Sequence, residues 1–269
     1  MRRRFRIHRV LLEKAILACV LPAVAGAVNA SGFFAIGTYT SHVTGNVARI
    51  GDELAVGHLW LALRAIFLVG SFLSGSMLAT ALVLRARRAG GPPYWRALLI
   101  EASLLFVFAT VSVGGERSAH INSLQMTCLL CLAMGLQNAL VTKLSGARVR
   151  TTHMTGITTD LGIETARAID AWVQRNRAIA GPGLAPLPSL RHDPALRKWR
   201  LHVAVLGSFL VGATLGPLLY LWVGHIAMLV PCVILVALAA FDGWIGLSET
   251  SFVESSINPL GPIIGQLPD

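Results

Sequence analysis

Residues 59–84 read LWLALRAIFLVGSFLSGSMLATALVL, a mostly apolar run of bilayer-spanning length. A hydrocarbon core about 30 Å thick needs roughly 20 apolar residues in helical form. Similar runs lie near Lys14–Gly37, Trp95–Val113, Ile121–Leu144, Leu201–Val223 and His225–Leu247. None alternates with the two-residue period of barrel strands. In hydrocarbon, backbone polar groups must be bonded within the segment, so all are read as helices. Composition agrees: 54% of the 269 residues are apolar and 13% charged, with mean hydropathy +0.65, too oily for a water-soluble domain of this size. The expected fold class is an all-α polytopic membrane protein with six transmembrane helices.

The formal charge of +10 would suit nucleic acid, but its placement follows a membrane. Six Lys/Arg precede or open the first run, four lie around Arg85–Arg96 and ten lie in Lys143–Arg200. Arg49, Arg64 and Arg117 alone fall on the opposite side. The positive-inside rule then predicts both termini on the cytoplasmic side of an inner-type membrane and excludes nucleic acid as a partner. Residues 1–30 imitate a secretory signal, with Val28-Asn29-Ala30 as a cleavage site. The apolar stretch runs on through Phe33, Phe34 and Ile36, so a retained first helix is expected. Cys128 and Cys131 have CxxC spacing without a second ligand pair. With Cys19 and Cys232 they are read as small core residues, and no disulfide, metal or cofactor is expected.

An internal repeat organises the chain. Gly26, Asn29 and Ala30 recur as Gly135, Asn138 and Ala139, an offset of 109. Ser41-His42-Val43-Thr44-Gly45 recurs as Thr152-His153-Met154-Thr155-Gly156, with Gly51 and Glu53 against Gly162 and Glu164, an offset of 111. Gly70-Ser71-Phe72-Leu73-Ser74-Gly75 recurs as Gly207-Ser208-Phe209-Leu210-Val211-Gly212, an offset of 137. The growth in offset requires an insertion, and the Pro-, Gly- and Arg-rich 175–200 is a linker of suitable size. The organisation expected is a basic N-terminus (1–13), repeat 1 (14–113), repeat 2 (121–247) and a tail (248–269). Three helices are an odd number, so the second copy enters from the opposite face: the repeats are inverted about an axis in the membrane plane.

Each unit holds an Asn-Ala helix, a Thr/Gly-rich break and then a short helix-like stretch before the next span. Thr44 and Thr155 are candidate N-caps, and a helix N-terminus suits a polar or anionic ligand. A simple cap on an interfacial helix is the competing reading, and Thr159, Asp160, Glu164, Arg167 and Asp170 make the second such helix amphipathic. His42 and His153, at matched positions, and Glu101, a carboxylate inside a span, form a candidate proton or polar relay. Glu101 follows Arg96 by five residues, so it is alternatively expected to snorkel to the cytoplasmic surface. Asn29, Gln137 and Asn138 need partners inside a span, either another helix or a substrate. The small residues at Gly70, Ser74, Gly75, Gly207 and Gly212 predict that the second and fifth spans pack together. No nucleophile elbow, Walker loop, zinc-protease pair or dinucleotide fingerprint occurs, so no enzyme activity is expected.

The string Gly26-Ala-Val-Asn29-Ala30-Ser-Gly32-Phe33-Phe34, followed by Thr44-Gly45-Asn46, Arg49 and Gly51, resembles the YoaK-type family of bacterial membrane proteins. Ala133-Met134-Gly135-Leu136-Gln137-Asn138-Ala139, with Thr152–Gly156 and Leu161-Gly162, resembles that family's second signature. The likeness covers about residues 14–247. It implies about six helices and a membrane location, and it names no substrate. The family often has an acidic residue at the position of Asn29 and Met at that of Val43; the first departure weakens any proton-coupled mechanism that needs a carboxylate at position 29.

These readings predict a secondary-transporter-like permease or exporter with a small polar solute held between the repeats by Asn29, Thr44, Asn138 and Thr155. The alternative is a non-transporting scaffold or assembly factor that uses the basic 143–200 segment to meet anionic lipid or a protein. An intramembrane enzyme is the third reading.

Overall fold

A computed structural model describes residues 19–111, 121–144, 152–179 and 194–245. The regular structure of these residues is entirely helical. The N-terminus 1–13, Arg117 and the tail 248–269 lie outside them.

Helix α1 (Leu21–Ile36) starts with Pro22, where the missing N–H would have no intrahelical partner anyway. It stops at Gly37, whose φ of 75° lets its N–H reach the Phe33 carbonyl at 2.7 Å. After a reversal over 37–42 come α2 (Val43–Ala55) and α3 (Leu59–Arg88). Arg85, Arg87 and Arg88 favour the negative end of the α3 dipole. Then follow α4 (Trp95–Val111), α5 (Ile121–Leu144), α6 (Met154–Ile179) and α7 (Pro194–Val223). A 3-10 turn (Gly224–Met228) leads into α8 (Leu229–Ile245).

By length and composition, three helical stretches can cross a membrane: Leu59–Arg88, Leu124–Leu144 and Lys198–Trp244. The last is 47 residues long because it joins α7 to α8 through the 3-10 turn. The apolar α1 has 16 residues and α4 has 17, which at 1.5 Å per residue is about 24–26 Å, short of the core thickness. The first span was expected from Lys14, and its first five residues lie outside the described part.

Two expectations about connections change. The stretch after the second break is not short: α6 has 26 residues. The linker expected over 175–200 is correspondingly narrower, because α6 runs to Ile179 and α7 begins at Pro194, leaving 180–193 outside the described residues. Proline suits a first helical turn as well as a linker, and composition alone did not separate the two.

The largest interfaces join α3 to α5 and α1 to α7, followed by α4 with α8. Helix α2 lies on α3, and α6 lies on α7. Glycines set the two closest crossings. A side chain at Gly26 would overlap the Phe209 carbonyl, and one at Gly212 the Ala23 carbonyl. On the other crossing, Gly135 abuts the Phe72 carbonyl and Gly75 the Leu132 carbonyl. The second and fifth spans (α3 and α7) are therefore not the partners that their small-residue spacing suggested. Each instead packs a glycine against α5 or α1, while Gly70 and Gly207 face open space. Small residues four apart mark a close helix contact without saying with which helix.

Candidate functional site

The first break is held by Asn29. Its side-chain carbonyl accepts the backbone N–H and the hydroxyl of Ser41, each at 3.0 Å, twelve residues further on. Phe33 stacks on Tyr39 with ring centroids 4.4 Å apart, closing the same turn. Asn29 is buried, and both hydrogen bonds serve the chain's own reversal.

His42, rather than Thr44, occupies the N-cap position of α2, and no side chain caps the helix. Thr155 likewise lies inside the first turn of α6, which begins at Met154. Both threonines are exposed, so the predicted capping role falls away. The two first turns share one geometry. The His42 carbonyl accepts the Asn46 N–H and the His153 carbonyl accepts the Ile157 N–H, both at 3.1 Å. The His42 ring lies over Gly45 and the His153 ring over Gly156, where any Cβ would meet it. Burial runs in the same order along 41–50 and 152–161. The glycine three residues after each histidine provides the space for its ring, which explains the recurrent His-x-x-Gly spacing.

Of the predicted site residues, Asn29 is buried and Asn138 half-buried between helices, while Thr44, Thr155, His42 and His153 sit exposed at the two first turns. Gly32 faces Leu130, and the Gln137 amide donates to the Leu21 carbonyl at 3.2 Å, so α1 and α5 run antiparallel. Asn29 and Asn138 then fall on opposite sides of the crossing, about 10 Å apart along it at 1.5 Å per residue. No hydrogen-bonded chain joins His42, His153 and Glu101 among the described residues.

Glu101 does not snorkel. It is 1% exposed, and its Oε2 has no hydrogen-bond partner among the described residues. It sits six residues into α4, about 9 Å from the helix start, on the side packed against the core. Gln137 Oε1 and Asn138 Oδ1 on α5 are also buried without a partner among the described residues. Buried polar atoms are nearly always bonded, so three such atoms on two adjoining helices stand out.

The contacts of the remaining polar groups were not anticipated from sequence. Asp242, fully buried on α8, accepts the N–H groups of Tyr94 and Trp95 at 2.8 and 2.7 Å, so a carboxylate holds the start of α4. Its signal was present, as a lone carboxylate within an apolar run is notable by the rule that selected Glu101. Glu164 and His202 form a buried pair at 3.1 Å that fastens α6 to α7. Glu53, its match in the first repeat, receives Arg49 at 3.3 Å and His58 at 3.1 Å. The cysteines are free thiols, and Cys232 donates to the Ala102 carbonyl at 3.3 Å, linking α8 to α4.

A family described as "Protein of unknown function (DUF1275)" matches residues 17–241. The chain is 29% identical over 143 residues to "UPF0700 transmembrane protein YoaK" of Bacillus subtilis (strain 168), a match covering 52% of this chain and 62% of that relative. No solved structure matches. Long apolar helices, polar side chains held within them and a match over most of its length make this chain an integral membrane protein of the DUF1275/YoaK family.

Proposed function

We propose that this protein is a permease or exporter of a small solute, built from six membrane-crossing segments in two inverted three-helix repeats. The observation that carries the architecture is a correspondence of contacts. The offset of 109 takes Gly26 to Gly135 and Ala23 to Leu132, and the offset of 137 takes Phe72 to Phe209 and Gly75 to Gly212. The α1–α7 crossing thus uses the same residue pairs as the α5–α3 crossing. A twofold relation between the halves gives such exchanged partners, whereas two copies folding independently would not. Inverted repeats around a site near the midplane are a common plan of secondary transporters.

Polar groups in the interior favour transport over a purely structural role. Glu101, Gln137 and Asn138 keep buried polar atoms without a partner among the described residues, and an unpaired polar atom costs roughly 1–3 kcal/mol. A passing solute or water supplies the missing partners. Asn29 shapes the first break through Ser41, and Thr44 and Thr155 stand at the mouths of the two breaks.

Reporter fusions test the arrangement: residue 55 is expected outside and residue 170 inside, and finding both on one side defeats the inverted repeat. Flux of a solute into proteoliposomes, reduced in Asn138→Ala, tests the permease. The scaffold reading is favoured by α6, whose exposed Ile163, Ile169 and Trp172 beside Arg167 suit an anionic membrane surface. Loss of cellular function on trimming the basic loop, without any flux, would select it.

A further inference from the structure

A cavity of about 200 Å³ opens between the end of α1 and helices α2, α3 and α5. Thr38, Arg49, Leu61, Arg64, Ala65 and Thr127 contribute to its wall. Two of the three cations that violate the charge asymmetry, Arg49 and Arg64, therefore meet at one place. Arg49 already has Glu53, which it shares with His58. Arg64 is half-buried on α3 and has neither an ion pair nor a hydrogen bond among the described residues. It lies five residues into a helix whose neighbouring Trp60 is exposed, as expected near the boundary between membrane and water. An arginine at that depth is costly without a partner, and Glu53 is not in the cavity wall.

We propose that this cavity binds a small oxyanion, a carboxylate or phosphate group, with Arg64 as its principal anchor. The planar guanidinium presents paired N–H donors that match two oxygens of such a group. Arg49 adds positive field, and Thr38 and Thr127 line the same space. A volume of about 200 Å³ is enough for a phosphate or a small dicarboxylate. Binding needs no transport. The assignment to the outer face rests on the topology proposed above.

The test is thermal unfolding of the full chain in lipid-free nonionic detergent, titrated with inorganic phosphate and with succinate against chloride at equal ionic strength. Either oxyanion is expected to raise the unfolding temperature saturably, and Arg64→Gln to weaken that binding roughly tenfold or more. Arg64→Lys should retain part of it. Arg49→Gln, on an exposed side chain, gives a second variant that weakens binding less and tests the site should Arg64→Gln fail to fold. A lipid phosphate as the source would instead appear in nanodiscs: phosphatidylglycerol would stabilise wild type over Arg64→Gln, phosphatidylcholine would not, and soluble oxyanions would add nothing. Equal responses to chloride, or equal responses of wild type and both variants in every arm, overturn the site. Binding without proteoliposome flux sinks the permease and leaves the site standing, whereas flux unchanged in Arg64→Gln without binding does the reverse.

Discussion

At the scale of single residues, Asn29 illustrates how a polar group within an apolar helix can serve the chain itself. Its one carbonyl oxygen holds both the N–H and the hydroxyl of Ser41, which lies beyond the end of its helix. Removing it leaves a partly buried N–H without this acceptor. Asn29→Ala is expected to cost about 1–3 kcal/mol of stability and to speed amide exchange over residues 38–46. Asn29→Asp keeps an acceptor in place and should cost markedly less, a contrast that detergent unfolding and hydrogen exchange both measure. The recurrence of asparagine at 138 was legible in the sequence. That Asn29 is occupied with Ser41 while Asn138 Oδ1 lacks a partner among the described residues was not, since a side chain's partners depend on which backbone arrives beside it.

Among the elements, closeness of approach governs the packing. Backbones meet where Gly26 and Gly212 join α1 to α7, and where Gly75 and Gly135 join α3 to α5. Gly135→Ala would place a methyl against the Phe72 carbonyl and force the helices apart, for about 1–3 kcal/mol of lost stability. Gly26→Ala should behave alike against Phe209. Gly70→Ala and Gly207→Ala face open space and should be neutral or slightly stabilising, because alanine favours helix. Thermal unfolding of the four variants separates the contact glycines from the free ones. The same small-residue spacing in sequence implied an α3–α7 pairing, since spacing identifies a helix face and carries no information about the opposing helix.

For the whole molecule, side-chain contacts between distant segments hold the bundle together. Asp242 crosses 147 residues of sequence to accept the Trp95 N–H, fixing the start of α4 against the end of α8. Asp242→Ala is expected to cost about 0.5–2 kcal/mol, the range for losing a helix cap, and Asp242→Asn should recover part of this. Protease sensitivity near residue 92, measured alongside the unfolding temperature, would show whether the loss is felt at that junction. An unchanged cleavage pattern with unchanged stability would refute a fastening role.

Hydropathy was enough to establish a helical membrane protein, because burial in hydrocarbon leaves few backbone solutions. The matched His-x-x-Gly turns were legible too, as the ring and the glycine beneath it are local to one helical turn. Tertiary structure decided which helices pair, that Glu101 is enclosed rather than snorkelling, that Glu164 meets His202, and that Arg49 and Arg64 share one cavity. These facts join residues that are remote in the chain. Periodicity records which side of a helix is apolar, while the identity of the group across from it arises only when the whole bundle packs.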